Sequence, residues 1–222
     1  MIRGLEIRQE LISIPRLTIG IFLVYLFHIS ALIGVTLGYQ NWFIEKTPLN
    51  LFAIFCLLAW LFPIDSGKKI LAVTMFFSGG MIAEWLGVHY GILFGVYEYG
   101  ENLGPKIDGV PFFIGINWAV LVLITGVISN RIKVSKWLKV LIGAGLMVLF
   151  DLFMEVPAPV FDFWVFEGGI APLSNYIGWF VVAAFLHTVF QHIKIEGDFL
   201  FSLHVYICQL LFFAYFYFYY GL

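Results

Sequence analysis

Residues 84–118 read EWLGVHYGILFGVYEYGENLGPKIDGVPFFIGINW, and the fold class turns on them. A carboxylate, Glu84, stands inside a hydrophobic run and is followed by glycines at four-residue spacing, Gly87, Gly91 and Gly95. The chain then crosses an acidic, aromatic loop and re-enters apolar sequence at Pro111. Two apolar runs joined by a polar crossing describe a helical hairpin in lipid, and the rest of the chain is arranged to bury the acid.

Composition supports that solvent. The 222 residues are 62% hydrophobic and 12% charged, with net charge -2, more apolar surface than a soluble domain of this size can hide. The charge is too small and too spread out to address nucleic acid. Cys56 and Cys208 both lie in apolar runs, where cysteine acts as a small buried hydrophobe rather than a disulfide or metal partner.

The expected fold is an all-α, polytopic membrane bundle forming one transmembrane domain over 1–222. Residues 1–16 alternate charged and apolar side chains and suit a helix lying at the membrane surface. Apolar spans follow near 17–38, 48–64, 70–94, 111–129, 137–156, 173–191 and 199–219, seven in all. Ten of the twelve Lys and Arg residues fall at the N-terminus and in alternate loops; Lys46 and Lys106 are the exceptions. Because cytoplasmic loops retain basic residues, the N-terminus is expected inside and the C-terminus outside. Glu98, Glu101, Asp108, Asp162 and Glu167 then occupy outer loops, with Glu84, Asp151 and Glu155 in the outer half of their helices.

Asp151 and Glu155 are four residues apart and share a helix face. Two carboxyls that close in a poorly hydrated place tend to share one proton, which sets an acid beside a base; the competing reading is a pair hydrated at the helix end. Glu84 is an ionisable residue within a span, and such residues usually face an interior cavity. The glycines after it read as packing positions that let a neighbouring helix approach.

An internal echo links the acids. Pro111 precedes Trp118 by seven residues, and Pro172 precedes Trp179 by seven; each pair follows an acid-bearing span and an acidic, aromatic loop. The third and fourth spans read as a parallel repeat of the fifth and sixth. On that reading Glu84 and the Asp151/Glu155 pair face each other, with Asn117 and Asn175 contributing amides. His89, five residues after Glu84, is about 140° round the helix and joins the substrate-binding candidates only if the helix end is distorted. His28, His187 and His204 are isolated in other spans and read as hydrogen-bonded interior residues. No histidine box, Glu-x-x-His, Walker motif or dinucleotide glycine motif is present, so the chemistry expected is that of side chains and water, without metal or cofactor.

Protonation of an isolated carbon-carbon double bond fits those means. It needs a positioned acid, exclusion of stray nucleophiles and aromatic faces toward the cation, and the chain has 25 Phe, 11 Tyr and 7 Trp. Lipid contact and interfacial belts account for aromatic residues equally well.

Several motifs together resemble the membrane carotenoid 1,2-hydratases of the CruF type, known from the synthesis of hydroxylated monocyclic carotenoids and of bacterioruberin. They are Glu84 with Gly87 and Val88; Phe94, Gly95, Tyr97 and Tyr99; Leu103 to Pro105; Gly109 to Pro111; Asp151 and Glu155; and Pro172, Asn175, Tyr176, Gly178 and Trp179. The likeness covers about 84–180, which it marks as the catalytic core. One departure concerns reach: many members place proline directly after the second acid, whereas Val156 intervenes here between Glu155 and Pro157.

The resemblance implies addition of water across the terminal C1=C2 bond of an acyclic carotenoid end, giving a tertiary alcohol without a redox cofactor. Asp151 or Glu155 is the first choice of proton donor and Glu84 the second. Tyr97, Trp118 or Trp179 would shield the cation, and Asn117 and Asn175 would hold the water. Implied partners are a lycopene-like, γ-carotene-like or bacterioruberin-precursor substrate, membrane lipid and, as an open possibility, other carotenoid enzymes. The site would lie in the outer half of a cell membrane. A membrane carotenoid cyclase would use the same protonation and quench the cation internally. A seven-helix retinal protein would need a lysine in the last span, which has none. A non-catalytic polyene carrier would tolerate loss of all three acids.

Overall fold

Lipid offers the backbone no hydrogen-bond partners, so apolar segments of this length close their bonds internally as helices. In the computed structural model, which describes residues 2–221 with side chains over 16–221, the order is α1 (Ile2–Thr36), α2 (Gln40–Ile44), α3 (Thr47–Leu61), α4 (Gly67–Tyr90), β1 (Tyr97–Tyr99), β2 (Lys106–Ile107), β3 (Val110–Pro111), α5 (Phe112–Asn130), α6 (Lys136–Met154), α7 (Pro157–Val160), β4 (Trp164–Phe166), α8 (Leu173–Ile193) and α9 (Phe199–Gly221). Among the described residues, seven stretches are long and apolar enough to cross a membrane, as a multi-pass protein requires, with α2 and α3 forming one of them. The side chains of 1–15, on which the surface-helix expectation for 1–16 rests, lie outside the described residues.

Helix ends follow local signals. Ser66 and Ser135 cap α4 and α6 with their hydroxyls toward the backbone N–H of Lys69 and Leu138, satisfying donors the first turn leaves free. Pro111 and Pro172, both extended, open α5 and α8. The expected third span ran to 94. It ends at Tyr90 instead, because Gly91 adopts φ +64° and closes the helix in a left-handed cap.

That cap corrects the reading of the glycines. Gly91 and Gly95 both have positive φ and make the turn. Gly87 gives room to the loop rather than to a helix: a Cβ there would stand 2.6 Å from the Tyr97 hydroxyl.

α5 is the central helix. It contacts α3, α4, α6, α8 and α9, and its side chains from Ile114 to Val127 are all buried. Cys208 is buried as expected, but Cys56 is exposed on the outside of α3; both are free thiols. His187 is fully buried, donating from Nδ1 to the Ala183 carbonyl (2.8 Å) and meeting Thr125 Oγ1 through Nε2 at 2.9 Å. His204 Nδ1 meets the Tyr25 hydroxyl at 3.0 Å.

One end of the bundle carries a small roof. β1 and β4 pair antiparallel, Tyr97 with Phe166, Glu98 with Val165 and Tyr99 with Trp164. Asp162 Oδ2 accepts from the Glu101 N–H at 2.9 Å, and Asn102 Nδ2 donates to the Phe161 carbonyl at 3.0 Å. The loop after α4 and the loop after α6 are thereby tied together over the ends of α4, α5, α6 and α8. Side chains alternate along a strand, so Tyr97 and Tyr99 turn inward and Glu98 outward.

Candidate active site

Under this roof the three acids line one pocket, together with Phe94, Tyr97, Tyr99, Trp164, Asn175 and Trp179. Its volume is about 10 Å³, enough for roughly one water. No Lys, Arg or His lines it.

Glu84 is held as an acceptor. Its Oε2 receives the Tyr97 hydroxyl at 2.5 Å and the Tyr99 hydroxyl at 2.7 Å, and its Oε1 receives Trp118 Nε1 at 2.8 Å. Burial first, and the nearby Glu84 second, push both tyrosine hydroxyls well above their ordinary pKa, so they stay protonated and donate. Three donors thus converge on one buried carboxyl and fix its orientation.

The other two acids share a single amide. Asn175 Nδ2 donates to Asp151 Oδ2 at 2.7 Å and to Glu155 Oε1 at 2.8 Å, using both of its hydrogens. Trp164 Nε1 donates to Glu155 Oε2 at 3.1 Å. Asp151 is fully buried, and among the described residues its Oδ1 has no hydrogen-bond partner. Glu155 caps α6 just beyond the end of the span, where burial raises its carboxyl above the usual range despite the Trp164, Asp151 and Asn175 bonds that act the other way. The intervening Val156 keeps helical dihedrals (φ -74°, ψ -48°) before Pro157 opens α7, and with this turn Glu155 reaches both Asn175 and Trp164.

The aromatic candidates divide. Tyr97 and Trp179 line the pocket; Trp118, fully buried, lies behind Glu84 and stacks on Trp179 at 4.1 Å. His89 is not brought in: it is exposed, with Nε2 3.3 Å from Asp108 Oδ2 and its ring against Trp85. Asp108 itself is held below the usual carboxylate range, chiefly by the Trp85 indole N–H. Asn117 does not line the acid pocket but faces a second, larger cavity.

That cavity, about 450 Å³, is walled mainly by apolar side chains such as Phe150, Phe163 and Phe212, and exposed Trp42 and Leu49 mark its opening. Ile114 lines both spaces. Sequence reading missed Ile114, Trp164 and the structural use of Tyr99; spacing from Pro111 places Ile114 on the first turn of α5, but nothing in its identity marks it. Among the described residues no three His, Cys, Asp or Glu side chains group as a metal set.

Residues 45–221 match the carotenoid biosynthesis protein family, four-fifths of the chain. The chain belongs to that family. It is also 31% identical over 136 residues to bisanhydrobacterioruberin hydratase of Haloarcula japonica, a match covering 55% of this chain and 45% of the relative. The chain thus aligns with less than half of that relative's length. No solved structure matches it.

Proposed function

We propose that the protein adds water across the terminal C1=C2 double bond of an acyclic carotenoid end group, giving a tertiary alcohol, as a hydratase that draws on its own carboxyls. The observation that carries this reading is the single pocket shared by Glu84, Asp151 and Glu155, without a basic counter-charge and walled by aromatic rings. The relative's name, a carotenoid hydratase, points the same way.

Asp151 is assigned as proton donor. Two carboxyls around one amide cannot both ionise cheaply, and the proton they share leaves from Asp151 Oδ1, the oxygen with no protein partner. The double-bond electrons form the new C2–H bond, and the tertiary cation left at C1 faces Tyr99, Trp164 and Trp179. A water in the pocket gives its oxygen to C1. Its released proton goes to Glu84, whose carboxyl the Tyr97, Tyr99 and Trp118 donors hold in place. Exchange of that proton back to the Asp151/Glu155 pair resets the site.

The polyene end comes from the larger cavity past Ile114, its length remaining in lipid. On the orientation expected from the basic loops, N-terminus inside, the chemistry lies in the outer half of the bilayer. The substrate is a lycopene-like, γ-carotene-like or bacterioruberin-precursor carotenoid.

Turnover in water enriched in heavy oxygen tests the reaction class. The expected product carries one label per hydrated end; an unlabelled cyclised product would identify a cyclase instead.

A further inference from the structure

The 450 Å³ cavity is apolar in most of its wall, yet it contains polar atoms that nothing among the described residues satisfies. Asn117 on α5 is 4% exposed and its Nδ2 has no hydrogen-bond partner; Gln209 on α9 is 3% exposed and its Oε1 has none. Asn50 Oδ1, on α3, is a third. All three residues line this cavity. His28, also in the wall and 6% exposed, donates from Nδ1 to the Val24 carbonyl at 2.8 Å, which leaves Nε2 of the neutral ring as a further acceptor.

Buried polar groups are nearly always paired, and unpaired ones call for an explanation. Here the set consists of one free amide donor and several acceptors, all neutral. Among the described residues no Asp or Glu lines the cavity to attract a cation, and Lys46, the one Lys or Arg in its wall, is exposed with Glu45 3.6 Å away. The complementary group is therefore uncharged, able to donate and accept at once, and attached to an apolar body.

We propose that this cavity is a binding site for an alcohol-bearing polyene end, whose hydroxyl accepts from Asn117 and donates to Gln209. Only the polyene body of that ligand rests on the hydratase reading; the hydroxyl rests on the unpaired amides. Ile114 also borders the acid pocket, so the two spaces adjoin. Two sources share this chemistry: the alcohol just made, and an alcohol already carried by the substrate.

The test is binding without turnover. Full-length protein carrying Asp151→Asn, in phosphatidylcholine nanodiscs, is titrated with two polyenes that differ only in one terminal tertiary hydroxyl, read by tryptophan quenching. The alcohol is expected to bind about tenfold more tightly than the hydrocarbon, the net effect of its two hydrogen bonds to the amides after the hydroxyl is desolvated. Asn117→Leu and, separately, Gln209→Met should each erase that difference while leaving hydrocarbon binding intact, which also reports that the variant is folded. Equal affinity for the two polyenes, or a difference that survives both substitutions, would mean that the amides face only water and would overturn the proposal.

Turnover by protein with its acids intact then separates the sources. Product inhibition relieved by Asn117→Leu marks the newly formed hydroxyl; a rise in KM confined to substrates already bearing an alcohol marks the substrate's own. Alcohol binding without hydration would sink the hydratase reading and leave this site standing.

Discussion

Trp118 and Trp179 lie face to face, ring centres 4.1 Å apart and planes 17° from parallel. Each is seven residues beyond the proline that starts its helix, so the stack joins α5 to α8 at equivalent depth. Trp118 also donates to Glu84. The carboxylate on α4 and the pocket wall on α8 are thus positioned by one aromatic contact.

Trp118→Phe keeps a ring in the stack but removes the indole donor. A hydrogen bond to a charged group contributes about 1.5–3 kcal/mol, so kcat/KM in a membrane hydration assay is expected to fall by about tenfold or more. Unchanged kcat/KM would show that Glu84 does not depend on this bond.

Tyr97→Phe and Tyr99→Phe each remove one of two donors to the same oxygen of Glu84. Groups sharing one acceptor couple, so the double variant should lose less or more than the product of the single losses. Strict additivity in rate would indicate that the two hydroxyls act on separate things. Gly87→Ala should resemble Tyr97→Phe in activity, since its methyl would crowd the Tyr97 hydroxyl.

Asn175→Leu leaves two buried carboxyls without their common donor. Positioned acid-base groups contribute about 100-fold or more, and the expected loss is of that size, in kcat rather than KM. Turnover within threefold of the parent protein would remove Asn175 and its acids from the mechanism.

Burial lifts Glu155 above the ordinary glutamate value of about 4.3. For an acid raised on folding, the folded state holds the proton longer, so stability declines as pH rises from the unfolded value through the folded one. Activity that needs the shared proton should follow the same sign on its alkaline limb, lost as pH rises through the raised value. Glu155→Gln should abolish that limb in a pH–rate profile; a limb at the same position in the variant assigns it to another group.

Ile114→Phe should obstruct the passage between the two cavities and raise KM, whereas Ile114→Ala should widen it and admit bulkier end groups. Core changes of these kinds cost about 1–5 kcal/mol in stability, so thermal unfolding is measured alongside. Matching kinetics in both variants would place the polyene route elsewhere.

Much of the fold was legible because lipid enforces long apolar runs whose ends carry prolines, glycines and charges. All seven spans can be read this way, and so can Glu84, Asp151 and Glu155, since a carboxyl in an apolar run has few innocuous explanations. The central place of α5 could not be read, because FFIGINWAVLVLITGVISN is equally suited to facing lipid or protein on every side. Nor could the distinct surroundings of Asn117 and Asn175, which depend on which helix faces which. The role of Gly87 depends on a loop that returns ten residues later to bring Tyr97 against it, a contact that periodicity does not encode. His89 was a candidate by nearness in sequence alone, and its helix position carries it outward to Asp108.

The β1–β4 ladder also sets how the site can open. Three residue pairs join the two loops over the acids, so neither loop can swing aside without breaking the other's backbone bonds. A broad aqueous opening on that side is thereby disfavoured. On the hydratase proposal, such a clasp would ration the nucleophile, sheltering a short-lived cation until a single molecule captures it.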